Sequence, residues 1–105
     1  MQLFSPLRIK VDTREEMVLQ ALLDKHCREI LSITKEYPRT AQDICKECQI
    51  PSSTTYRRLN LLKDLKFLEI TYIIKTDGKK LALYRNRIKE MHVYLTDDVL
   101  CVNTV

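Results

Sequence analysis

The chain has one glycine, no tryptophan, two histidines and three prolines in 105 residues. A single glycine excludes a glycine-rich phosphate loop, and with it most nucleotide-binding enzymes, and it argues against a turn-rich all-β fold. No low-complexity stretch suggests disorder. Unbroken apolar runs, such as Met17 to Leu19 and Ala21 to Leu23, are far too short to span a bilayer. The opening MQLFSPLRIKVDTREE lacks the apolar stretch and small-residue cleavage site of a secretory signal, so a cytoplasmic address is expected. His26 and His92 are isolated and show neither HxH nor HExxH spacing, and no nucleophile and base stand in a recognisable arrangement. The chain is therefore not expected to be an enzyme. Its length predicts one domain over residues 1–105.

Cysteine is present but thinly patterned. Cys27, Cys45, Cys48 and Cys101 supply one CxxC pair, where a zinc ribbon needs two. In a reducing compartment these are thiols. Cys45 and Cys48 fall on the apolar face of a short helix and read as core packing. No cofactor is expected. If a metal were held, Cys27, Cys45 and Cys48 with His26 are the side chains that could assemble around it, and a redox switch on the same thiols is a further alternative. Asp97 and Asp98 read as turn formers rather than as an acid/base pair.

Positive charge is unevenly spread. Residues 51–90 hold ten lysines and arginines against four acids, a net of +6, while the rest of the chain carries −2. Cations gathered on particular elements point to a polyanionic partner, because counterion release rewards their concentration on one face.

Apolar spacing and capping residues divide the chain. Residues 1–12 read as an arm with strand character at Leu7 to Val11. Asp12 or Thr13 caps a first helix that is apolar on more than one side. A second helix, about Lys25 to Tyr37, places Cys27, Ile30, Leu31 and Ile33/Thr34 at three-to-four spacing and stops at Pro38. Residues 13–37 are thus expected to serve core packing and dimerisation. Thr40 caps a third helix, Ala41 to Cys48. Ser52 or Ser53 caps a fourth that runs to about Lys66, with Thr55, Leu59, Leu62 and Leu65 inward. LEITYIIK and KLALYRN flank Thr76-Asp77-Gly78-Lys79, a strong hairpin signal. A second hairpin is expected over residues 88–105, turning at Thr96-Asp97-Asp98.

The order predicts an α+β fold, a winged helix-turn-helix: two helices over 40–66, a wing over 68–86, then the terminal hairpin. The fourth helix would enter a major groove about 12 Å wide, and the Gly78 turn would hold Lys79 and Lys80 over the backbone. At this point Pro51-Ser52-Ser53-Thr54-Thr55-Tyr56-Arg57-Arg58-Leu59 resembles the recognition helix of arsenic-repressor-like winged helix-turn-helix regulators, which reads S-x-x-T-x-S-R-H-L. Gly78-Lys79-Lys80-Leu81-Ala82-Leu83-Tyr84-Arg85 resembles their wing. The likeness covers roughly residues 15–95 and is strongest to small archaeal members. It implies that Ser53, Tyr56, Arg57 and Arg58 face DNA; Ser52, Thr54, Lys63, Lys79 and Lys80 complete the expected contact set. Two departures stand out. Gln49 occupies the turn position where that family has Gly, and Thr40 and Gln42 precede Asp43 where its metal-binding cysteines would fall, so the arsenic-type site is absent.

The expected function is sequence-specific binding of double-stranded DNA by a homodimeric transcriptional regulator. The first helix and the terminal hairpin would pair the two copies, since they carry more apolar surface than a monomer readily buries. The alternatives are a winged-helix protein-interaction module in a transcription-related assembly, or a thiol-based redox or metal sensor. Effector and operator are not legible.

Overall fold

Local signals set most element boundaries in the computed structural model, which describes residues 13–105; the arm, its expected strand and the Asp12 cap lie outside the described residues. Thr13 caps α1 (Arg14–Leu23), its hydroxyl accepting from the Glu16 amide at 3.1 Å, with Glu15 and Glu16 in the first turn where carboxylates suit the helix dipole. Asp24 ends α1 and caps α2 (Lys25–Glu36), accepting from the Cys27 amide at 2.9 Å. Thr40 and Asp43 form a reciprocal capping box at the start of α3 (Ala41–Cys48).

The turn between α3 and α4 (Ser52–Asp64) passes through Gln49 at φ 55°, ψ 49°. The left-handed conformation expected of a glycine here is thus held by a side chain that finds it costly. The start of α4 corrects one expectation: neither Ser52 nor Ser53 caps it. Pro51 occupies the cap position, and no side chain closes that end. Proline's fixed φ lets the helix begin directly behind it, while the Thr55 amide and hydroxyl both donate to the Pro51 carbonyl, at 2.9 and 3.1 Å. At its far end α4 closes in a Schellman motif. Lys66 lies at φ 68°, the Phe67 amide donates to Leu62 and the Lys66 amide to Lys63, and buried Phe67 and Leu62 provide the apolar contact that accompanies such a cap.

Two antiparallel hairpins follow, β1 (Leu68–Ile74) with β2 (Lys80–Asn86), and β3 (Met91–Thr96) with β4 (Val99–Thr104). The α+β winged helix-turn-helix layout expected from the sequence is the one observed. The core is Val18, Ala21, Cys27, Ile30, Ala41, Ile44, Ile50, Leu59, Leu62, Leu65, Phe67 and Leu68, contributed by all four helices, the connections on either side of α4 and the root of β1. Met91 and Val102 bring the terminal hairpin against it, and β4 packs on α1.

One connection has no signal in the local sequence. Arg39, just after Pro38, bridges to Tyr84 through two backbone hydrogen bonds of 3.0 and 2.8 Å, which adds a one-residue third strand to the wing. Its buried guanidinium lies 3.6 Å over the Tyr37 ring, pairs with Glu47 at 2.9 Å and donates to the Ile33 carbonyl. Asn86 donates to the Leu31 carbonyl at 2.8 Å. The wing is therefore tied to α2 and to the α2–α3 connection as well as to α4. The hairpins project: the radius of gyration is 16.3 Å with extents of 59 × 30 × 22 Å, where a compact domain of this size would measure about 13 Å.

Candidate nucleic-acid interface

Helix α4 buries Thr55, Leu59 and Leu62, which leaves Ser53, Tyr56, Arg57, Asn60, Lys63 and the acidic Asp64 on one exposed face at helical spacing. Ser52 is exposed at the helix start and Thr54 is half-buried beside it. Asn60, on the circumference but outside the expected contact set, belongs to the same face as Tyr56, Arg57 and Lys63. Three-to-four spacing alone would have included it.

Arg58 is placed differently from the rest. Its Nε lies 2.9 Å from Asp24 Oδ2, with both side chains three-quarters covered. It points to the junction of α1 and α2 rather than outward with Arg57, because one residue along a helix is a turn of about 100°. Burial works to raise the Asp24 pKa, but the Cys27 amide and the Arg58 guanidinium together outweigh it and hold the carboxyl below its ordinary value. Arg58 is thereby engaged in locating α4 against the body.

The wing turn is built by its one glycine. The Lys75 amide donates to the Lys79 carbonyl, the Gly78 amide donates to the Lys75 carbonyl, and the Lys79 amide donates to the Asp77 carboxylate. Gly78 sits at φ +85°, with the backbone before it at ordinary negative φ. This is a three-residue loop, a turn followed by a left-handed glycine, rather than a two-residue Asp-Gly turn. It leaves Lys75, Lys79 and Lys80 exposed, with Lys80 Nζ 5.8 Å from the Tyr72 ring centre. Lys75 joins the two expected lysines at the tip.

The thiols are dispersed. Cys27 is fully buried in the core, and burial, with help from Asp24, pushes its thiol pKa up to about 11. Cys45 and Cys48 are half-buried, and Cys48 packs against the core as the spacing implied, while Ala41 and Ile44 take the fully buried stripe. Cys45 donates to the Thr55 hydroxyl at 3.2 Å and so joins α3 to α4. Burial also raises the Cys48 thiol, with Glu29 and Glu47 adding to it. Among the described residues no three His, Cys, Asp or Glu side chains come together as a metal-holding group, so Cys27, Cys45, Cys48 and His26 are not assembled into one. No described helix is long and apolar enough to cross a membrane.

Residues 22–71 match the family model of a helix-turn-helix domain. The match runs from the end of α1 through α4 into β1, and so covers the turn at Gln49 and the whole of the basic, hydroxyl-bearing helix. Among curated proteins, none matches the chain. The α4 part of the candidate interface thus lies in the segment that is similar to helix-turn-helix domains, and the wing tip at Lys75, Lys79 and Lys80 lies beyond it.

Proposed function

We propose that the chain is a sequence-specific, double-stranded-DNA-binding transcriptional regulator of the arsenic-repressor-like type, acting as a homodimer in the cytoplasm. The observation that carries this reading is the exposed face of α4, bearing Ser53, Tyr56, Arg57, Asn60 and Lys63 with one acid, Asp64, in its last turn, flanked by a wing whose turn presents Lys75, Lys79 and Lys80. Hydroxyl, amide and guanidinium groups are those that read base edges, and lysines on a projecting turn suit the phosphate backbone. Ser52 and Thr54 support the start of the helix at the groove, and Arg58 positions it. No catalytic chemistry and no cofactor are assigned.

Dimerisation is supported by uncovered apolar surface on α1 and the terminal hairpin. Leu23 is 73 % exposed, Leu95 70 % and Val99 58 %. A two-stranded hairpin is marginal in water unless its apolar face is covered, and only the base of this one rests on the core. Pairing two copies there would give the DNA two half-sites.

Exposed Tyr72, Ile73 and Ile74 in the wing favour a second reading, a protein-interaction module. Selection of bound fragments from a pool of duplex DNA separates the two. The regulator reading expects enrichment of a sequence with two-fold symmetry and binding that weakens steeply with salt; weak binding without sequence preference would leave the interaction module. Sedimentation of the full chain expects a dimer, and a stable monomer contradicts that part of the reading.

A further inference from the structure

Between the start of α3, the exposed face of α4 and strand β2 lies a cleft of about 240 Å³. Thr40 and Gln42 form one wall, Tyr56 and Tyr84 converge from α4 and β2, Ala82 leaves space on the strand, and Lys80 stands at the wing side. Lys80 is the sole charged side chain among the described lining residues, and no carboxylate lines the cleft. It is smaller than the roughly 300–1,000 Å³ of pockets that hold drug-sized ligands, and it opens between the two elements assigned to DNA.

We propose that this cleft seats one phosphodiester of the DNA backbone, with the Lys80 ammonium and the Tyr56 and Tyr84 hydroxyls donating to its oxygens. The assignment rests on the DNA-binding reading and deepens it. Neither tyrosine hydroxyl is hydrogen-bonded to another described residue, so both are available as donors. Burial pushes the Tyr84 phenol above its ordinary pKa, with Tyr56 and Tyr72 adding to the shift, so it keeps its proton at neutral pH. The backbone bonds between Tyr84 and Arg39 fix the strand at that point, and the cation–π approach of Lys80 to Tyr72 holds the lysine beside the cleft. A phosphodiester, unlike a base edge, takes such donors without regard to sequence. The cleft would therefore set the register of α4 in the groove while leaving the reading of bases to Arg57 and Asn60.

The test is a titration of the selected duplex with the full chain, in which backbone phosphates are replaced one at a time by uncharged methylphosphonate. Wild type is expected to lose roughly tenfold in affinity at one phosphate in each half-site, as befits charge-assisted hydrogen bonds. Tyr84→Phe, which keeps the ring and the backbone bonds, and Lys80→Gln, on an exposed side chain, should each lose about as much on unmodified DNA and lose little more at that phosphate. Sequence preference should be unchanged in both. Sequence-specific binding in which these variants match wild type, or in which their losses add fully to the methylphosphonate loss, overturns the cleft assignment alone. Absence of salt-dependent duplex binding by wild type overturns the regulator reading and the cleft together.

Discussion

The chain contains two antiparallel hairpins of nearly equal length, and they differ in almost everything but pairing. The wing turns through a left-handed glycine and ends in lysines. The terminal hairpin turns through Asp97 and Asp98, at φ 51° and 62°, a two-residue turn with both residues left-handed. The wing is fastened at its root by Leu68, by the Arg39–Tyr84 bridge and by Asn86. The other rests on α1 through β4 and carries Leu95 and Val99 uncovered beside its acidic tip. A positive tip suits a polyanion. A negative one is repelled by it, while its apolar flanks call for a protein surface. Under the proposed function, the same backbone device would serve two destinations, chosen by a handful of tip residues.

The largest effect is expected at the root the wing shares with the core. Phe67, 1 % exposed between the end of α4 and β1, is the largest fully buried side chain; Phe67→Ala should cost about 3–5 kcal/mol in denaturant titrations and loosen the wing with the whole fold. On the other hairpin, Leu95→Asp with Val99→Asp changes only exposed positions. It should convert dimer to monomer by sedimentation and weaken operator binding on the order of a hundredfold through lost avidity, with the monomer still folded.

Smaller effects are expected at single contacts. Arg57→Ala should cost about 1–3 kcal/mol of DNA binding and relax the preference at one base pair, measured against a panel of single-site operator variants. Asp24→Ala removes the α2 cap and the Arg58 partner, for a stability loss of about 1–2 kcal/mol. Because the folded Asp24 carboxyl lies below its ordinary value of 3.8, its stabilisation is present above that value and is lost as pH falls through the lower folded pKa. A wild-type stability profile that shows no added loss there relative to the variant would refute the ion pair's role. Smallest of all are the turns: Gly78→Ala should cost about 1 kcal/mol from backbone strain alone, since no atom lies within 4 Å of the added methyl position, whereas Asp98→Gly should gain a few tenths to 1 kcal/mol in the other turn.

Most local signals were legible in the fold, the expected Ser52 or Ser53 cap of α4 being the exception. Thr40 as a cap, Pro38 as a stop, Gly78 as a turn and the periodicity of Leu59 and Leu62 each act through neighbours in sequence. The Asp97-Asp98 turn belongs with them, since aspartate tolerates the left-handed region. What escaped was long-range or directional. The Arg39–Tyr84 bridge joins residues far apart in the chain, and nothing local to Tyr37-Pro38-Arg39 announces a strand. Arg57 and Arg58 look alike as neighbours in a motif, but one helical step sends the second to Asp24. Gln49 shows the reverse case: the likeness to the arsenic-repressor-like turn marked the position, and the left-handed backbone is there although glutamine is a poor match for it.

The difference between the two hairpin tips can be measured directly as the slope of log K against log salt for operator binding. Replacing Lys75, Lys79 and Lys80 together with glutamine in both copies of the dimer should flatten that slope by up to about five units, if each lysine neutralises a phosphate. Replacing Asp97 and Asp98 with asparagine should leave the slope unchanged, because the proposed pairing of copies would turn that tip away from DNA. Equal slopes for wild type and the lysine-free wing, or a change confined to the terminal hairpin, would contradict the assignment of α4 and the wing as the DNA interface.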